Sequence, residues 1–387
     1  MLLKDVLVDE GLKRQLTTLA DENRISHAQL FLGKSGSHSF ALALAYAQYI
    51  CCTDRHDGDS CGHCHSCVMF EKLQHPDLHL IFPNCTYGEV KKDPDSQKLA
   101  NYFREFAFAN RFHLDYSEWV KWLKSENKQV NINIRDCAYI VGQNSMRSYE
   151  NGYKIYILWM ADKIQTAAAN KLLKTLEEPE SQSLFILLAE SSDQILPTIL
   201  SRTQLVKIPP ISEENIKQHL IDEEHLSAEK AADIAAIAEG SYLKALRISQ
   251  EDSSLHHLLT TYNLLMKSLT AYLHDKRDYA RIDYLKVSSM LTDIAKDGKE
   301  AQRTLLNYLS RMFRNELLLN TGQSALVKAT ADEWKVLDEH RQFFTVKNAA
   351  LLLNDCNQAL YHVERNINAG ILFTDFYFKL LMDLSKK

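Results

Sequence analysis

Residues Leu30–Ile50 read LFLGKSGSHSFALALAYAQYI. A short apolar run ends in a turn with two glycines, and the turn opens into a second apolar stretch long enough for a helix. That is the outline of a phosphate-binding loop, whose usual form is G-x-x-x-x-G-K-[ST] between a strand and a helix. Gly33 and Gly36 fall into the frame. His38, however, stands at the closing glycine, Ser39 at the lysine, and Phe40 at the hydroxyl residue that would hold magnesium. The frame of a nucleotide site is kept while the groups that grip a nucleotide are lost.

The surroundings of this loop set the fold class. AQLFLG (28–33), YKIYILWM (153–160) and SLFILLAES (183–191) each read as a buried parallel strand feeding a helical stretch. Strands alternating with helices predict an α/β domain on a parallel sheet. No proline follows Pro210, and the spacing beyond it is helical. Leu255, Leu258, Leu259, Tyr262, Leu265, Met266, Leu269 and Leu273 recur at three- and four-residue intervals, the signature of an amphipathic helix. The segments around Leu305–Leu319, Ala349–Val363 and Leu372–Leu381 repeat it, so a helical bundle is expected. A shorter helical stretch, about Ser212–Gln250, lies between the two parts.

At 387 residues the chain is too long for one ordinary core. Its 45% hydrophobic and 25% charged residues are those of a soluble globular protein. A formal net charge of −5 argues against a dedicated nucleic-acid coat, although a local basic face is compatible with it. The opening residues, MLLKDVLVDEGLKRQL, mix acids with apolar residues and do not read as a signal peptide. No stretch approaches the ~20 apolar residues of a membrane span, so a cytoplasmic protein is expected.

Five of the eight cysteines lie between Cys51 and Cys67. Cys52, Cys61, Cys64 and Cys67 form a C-x8-C-x2-C-x2-C pattern in which four thiolates can surround one zinc ion, and Gly58 and Gly62 allow the turns this needs. Four sulfur ligands close the coordination shell, so the Zn2+ expected here is structural. Cys51 could substitute for Cys52, and His63 and His65 are competing ligands that read more simply as loop residues.

Together ISHAQLFLGKSG, the four-cysteine module, HPDLHLI, ANKLLKTLEEP and LPTILSRTQ, in this order, resemble the delta-prime subunits of the bacterial DNA polymerase III clamp loader, within the AAA+ superfamily. The resemblance covers about residues 1–84 and 130–250, with ERNINAG (364–370) as a modest later echo. It implies an AAA+ RecA-like α/β domain over 1–210 with its zinc module at 52–67, a helical lid over 211–250, and an all-α collar domain over 251–387. It also says where the nucleotide groups should be. The acids that would hold magnesium are replaced by Trp159 and Met160 ahead of ADKI, and the ATP-sensing arginine by Leu243 in EGSYLKALRI. With the degenerate loop at Gly33, Gly36, Ser39 and Phe40, no ATP hydrolysis is expected.

One arginine remains. Ser201 and Arg202 match the family's Ser-Arg-Cys motif, with Thr203 in place of the cysteine. The resemblance implies that Arg202 acts in trans as an arginine finger on a neighbour's ATP. It further implies gamma/tau and delta subunits as partners in a hetero-oligomeric ring, with the sliding clamp and primed DNA reached through the complex and no membrane involved. His27 reads as packing or capping, and Lys171 and Lys174, beside Asn170, as a solvated helix face or a partner contact. Two rivals stay open: an autonomous AAA+ ATPase with an atypical loop, and a zinc-bearing DNA-binding module.

One stretch departs from the family. Residues of about 85–130 form an insertion rich in aromatic side chains, among them Phe103, Phe106, Phe108, Trp119 and Trp122, interleaved with Arg104, Arg111, Lys121 and Lys124. They suit either a stacking platform for single-stranded DNA or two amphipathic helices packed on the sheet domain. The entry, GEVKKDPDSQK (88–98), reads as a mobile loop.

Overall fold

The computed structural model describes residues 1–125, 128–150, 152–250, 252–274, 284–365 and 367–386. Contacts divide it into two units, Met1–His219 with Ala238–Lys244, and Leu220–Ile237 with Ala245–Lys387.

In the first unit the order is α1 (Glu10–Asp21), β1 (Ala28–Leu32), α2 (Ser39–Cys51), α3 (His65–Glu71), β2 (Leu78–Ile81), α4 (Ala100–Ala109), α5 (Tyr116–Trp122), α6 (Ile134–Asn144), β3 (Lys154–Leu158), α7 (Thr166–Glu177), β4 (Ser183–Ala189), α8 (Pro197–Leu200) and β5 (Gln204–Lys207). The five strands form one parallel sheet in the order β2-β3-β4-β1-β5. Every residue of β3 and β4 is buried, as expected of parallel strands covered on both faces. Edge strand β5 is mostly exposed.

The helix after the glycine turn explains why the phosphate-loop outline survives. In α2 every residue from Phe40 to Ile50 is buried, small residues alternating with large ones, so it is apolar all round rather than amphipathic. It sits in the core on one face of the sheet, while Ile140, Leu172 and Leu176 of α6 and α7 cover the other.

The insertion is part of that first core. Phe103 stacks on Phe82 with ring centroids 4.0 Å apart, and Trp119 meets both rings edge-on at 5.6 and 5.4 Å. The Trp119 indole donates to the Pro83 carbonyl at 2.7 Å. Of the insertion's large apolar side chains only Phe108 and Trp122 reach solvent substantially. The aromatic spacing is therefore that of two packed amphipathic helices. The entry loop is pinned: buried Asp136 of α6 accepts from Ser96 N at 2.7 Å and from Asn84 Nδ2 at 2.8 Å.

Among the described residues from Ser212 onward the regular elements are helices: α9 (Glu213–Glu224), α10 (Ala228–Ala238), α11 (Tyr242–Gln250), α12 (Asp252–His274), α13 (Tyr284–Lys296), α14 (Lys299–Asn320), α15 (Ala331–His340), α16 (Val346–Glu364) and α17 (Ala369–Leu384). In the second unit α14 packs on α16, and α17 on α13 and α16. Capping boxes at Thr330–Glu333 and Thr345–Asn348 start α15 and α16. Buried Glu333 also receives the Arg311 guanidinium on both carboxylate oxygens. The ERNINAG stretch crosses Asn366, which lies outside the described residues.

Candidate functional site

Each residue that departs from the phosphate-loop pattern contacts the insertion or lies beside it. Phe40 meets Phe103 edge-on at 5.8 Å. Trp159 and Met160, where acids would hold magnesium, are buried in the same core, Trp159 against Phe103 at 5.6 Å and Phe106 at 6.4 Å. His38 touches His113. Ser35 Oγ donates to the Asp115 carboxylate at 2.8 Å, and the same carboxylate caps α5 by accepting from Ser117 N at 2.8 Å.

The backbone explains how the insertion reaches so far. After α4 the chain turns through Arg111 (φ 48) and Phe112 (φ 64), two consecutive left-handed residues, a conformation costing a non-glycine residue roughly 1 kcal/mol. The turn is closed by Phe112 N→Ala107 O and His113 N→Asn110 O, both 2.8 Å. It carries Phe112, His113 and Leu114 onto Gly33–Phe40. What remains is a cavity of about 20 Å³. That is room for one water, against the roughly 300–1,000 Å³ of a small-molecule site.

The pairing of His38 and His113 has a defined tautomer. His38, in left-handed backbone at φ 58, accepts from Leu7 N on Nδ1 at 3.1 Å. Its proton is therefore on Nε2 and points at His113 Nδ1, so both rings are neutral. Burial, followed by the neighbouring His113, His219 and Lys13, holds His38 well below the usual histidine range, and burial, then His219 and Arg111, bring His113 down to about 4. Tyr242 packs on both rings. Among the described residues the cavity is lined by one acid, Glu190, and one cation, Lys34; burial, then Asp162 and Asp115, raise Glu190 to about 7. Leu243, which the family resemblance sets at the sensing-arginine position, is buried. Gly36, at φ 80, lies where a Cβ would strike Ser241.

The four cysteines converge at the end of α2 and the start of α3. Cys52 is the C-cap of α2 and Cys64 the N-cap of α3. Cys52 Sγ lies 4.0 Å from Cys64 Sγ, Cys61 Sγ 3.9 Å from Cys67 Sγ, and all four sulfurs fall within 4.8 Å of one another. A tetrahedral ion with metal–sulfur bonds of ~2.3 Å requires sulfurs about 3.8 Å apart, so the set fits a metal ion. Disulfide sulfurs would be ~2.05 Å apart, and all four cysteines are free. The N–H groups of Cys61, Cys64 and Cys67 each point at the preceding ligand sulfur at 3.3–3.5 Å. Cys51 turns away, toward the Tyr153 carbonyl. His63 and His65 are exposed.

Arg202 follows α8 and is partly exposed. Its Nε donates to Glu177 Oε1 of α7 at 2.6 Å, and Nη1 to the Thr198 carbonyl at 2.8 Å and Ser201 Oγ at 3.2 Å. His27 Nε2 donates to the Leu176 carbonyl at 2.9 Å, a cap on α7. Asn170, Lys171 and Lys174 are exposed on that helix. The HPDLH stretch is structural: Asp77 accepts from Tyr149 N and Glu150 N at 2.8–3.1 Å, and His79 stacks on Tyr156.

The family model described as DNA polymerase III, delta subunit, matches residues 8–212, the stretch that contains the sheet, the cysteine module and Arg202. The chain belongs to the DNA polymerase III delta-prime family. DNA polymerase III subunit delta' of Bacillus subtilis (strain 168) is 27% identical over 232 residues, covering 60% of this chain and 56% of that one. The Haemophilus influenzae subunit delta' is 29% identical over 238 residues, 61% of this chain and 59% of that one. Subunit gamma/tau of Mycobacterium bovis is 23% identical over 341 residues, 85% of this chain and 51% of that one. The chain thus spans between about half and three fifths of the length of these relatives. His113 and Asp115 carry no signal in the sequence, and Glu177 stands inside the ANKLLKTLEEP motif without any mark of its partner; each acquires that partner only through the fold.

Proposed function

We propose that this delta-prime family member is a clamp-loader subunit of the DNA polymerase III holoenzyme that hydrolyses no nucleotide itself and supplies Arg202 to the ATP site of a neighbouring subunit. One contrast carries the reading: the chain's own phosphate loop is filled by its insertion, while the Arg202 guanidinium stays within reach of solvent. A polyphosphate needs cationic compensation and a magnesium ligand set, and Phe40, Trp159 and Met160 line the cavity instead, with Lys34 as its one cation among the described residues. The same features disfavour the autonomous-ATPase rival.

In this reading residues 1–210 form a rigid sheet domain, 211–250 a lid and 251–387 the collar through which the chain joins gamma/tau and delta subunits. The sliding clamp and primed DNA are reached through that complex, in the cytoplasm; among the described residues no helix is long and apolar enough to cross a membrane. Cys52, Cys61, Cys64 and Cys67 would hold one structural zinc ion. Bound there, the ion would tie the end of α2 to the start of α3.

The test is reconstitution. The chain should co-purify with the gamma/tau and delta subunits of its own organism, and alone it should not bind a labelled ATP analogue in a magnesium-dependent way. Arg202→Ala should leave assembly intact and slow hydrolysis at the site it faces by roughly 10³-fold, the lower end for a trans arginine. Unchanged turnover in the Arg202→Ala complex would remove the finger role, and tight nucleotide binding by the chain alone would favour the rival.

A further inference from the structure

We propose that Glu177 is a positioning residue that holds the Arg202 guanidinium in reserve and yields it to the polyphosphate of a neighbouring subunit. This rests on the finger reading above. Glu177 is the last residue of α7, at the negative end of the helix dipole, where a carboxylate destabilises the helix it ends. Its role is therefore not local to α7; its partner is Arg202.

The guanidinium has two differently held edges. Nη1 donates to the Thr198 carbonyl and to Ser201 Oγ, groups next to it in the chain that set the plane of the fork. Nε and Nη2 both meet the one oxygen Glu177 Oε1. That second edge is the one that binds carboxylate or phosphate through two parallel bonds, and here it is covered by an anion that uses a single oxygen for both nitrogens. Such a pair lacks the second parallel bond of a fork-to-fork contact. Both side chains also reach solvent, with relative exposures of 32% and 43%. A phosphate brings more charge and several oxygens, so it can displace the carboxylate while Thr198 and Ser201 keep the guanidinium aimed. The exchange makes and breaks no covalent bond; one anion replaces another.

The experiment uses the reconstituted complex and ATP. A half-exposed ion pair is weak and leaves the finger free about a sixth to a third of the time, so Glu177→Gln should lower the apparent KM for ATP about three- to sixfold, with kcat changed less than twofold. Glu177→Asp, which keeps the charge, should stay within twofold of the parent. In the Arg202→Ala background Glu177→Gln should change neither parameter, and co-purification and melting of Glu177→Gln should match the parent. An unchanged KM in Glu177→Gln, or the same KM shift with Arg202 absent, overturns the positioning role while leaving the finger standing. If Arg202→Ala alone leaves turnover untouched, the finger reading falls first and this proposal with it.

Discussion

Replacing His113 by asparagine should make the protein less sensitive to acid. Burial, then His219 and Arg111, press the His113 imidazole from 6.5 to about 4. In the unfolded chain the ring returns to its ordinary value. The folded value is the lower one, so the unfolded chain binds more protons between pH 4 and 6.5. The stability involved is present above that window and drains away as the pH falls through it. At ~1.4 kcal/mol per pH unit the whole window is worth about 3 kcal/mol, of which about 2 kcal/mol is lost between pH ~7 and ~5. The mechanism is local. His38 offers its Nε2 proton to His113 Nδ1, and a protonated His113 would set two N–H groups against each other. Asparagine keeps an acceptor and does not titrate. Urea unfolding followed by tryptophan emission reports the event, because Trp119, Trp122 and Trp159 all lie in the first unit. The variant should be less stable than the parent at neutral pH, and that gap should close by about 2 kcal/mol at pH ~5. A gap of the same size at both pH values would refute the assignment of a neutral, proton-excluding pair.

Metal analysis of the purified chain should give one zinc ion per chain; replacing Cys61 and Cys64 together by serine should abolish it and lower the melting temperature, and a variant that keeps its metal would sink the four-sulfur assignment. In the second unit, burial pushes buried Glu316 up to about 8, only partly opposed by Arg341 and the Tyr262 hydroxyl. Its folded value is the higher one, so this group's contribution is intact at low pH and is lost as the pH rises from 4.5 through 8. Glu316→Gln should therefore gain on the parent by roughly 3 kcal/mol between pH ~5 and ~7.5; an advantage that does not grow with pH would count against it.

Much of the fold was readable because burial writes itself into composition. KIYIL and SLFILLA, buried on both faces, could only be continuous apolar runs. The short strands β2 (LHLI) and β5 (QLVK) escaped: one is hidden inside the HPDLHLI motif, and the other is an exposed edge with too few apolar residues to stand out. The aromatic insertion was ambiguous for a physical reason. Phe103, Phe106 and Trp119 are the residues a base-stacking surface would use and equally those that fill a core, and only the position of Phe82 and Trp159 decides between them. At the phosphate loop the losses at His38, Phe40, Trp159 and Met160 could be counted from the sequence. Their common cause could not, because His113 and Asp115 lie more than seventy residues further on from His38 and Ser35.

The packing of the insertion on the glycine turn locks several stretches of chain together. Placing lysine and threonine at Ser39 and Phe40 would leave Phe112, His113 and Leu114 seated against the turn, and would open a void beneath Phe103. Excising the segment alone would strip the cover from Trp159 and Met160. Each change made singly meets a penalty from the parts left unchanged, so this lining can be rebuilt only by simultaneous replacement in the glycine turn, the insertion and residues 159–160.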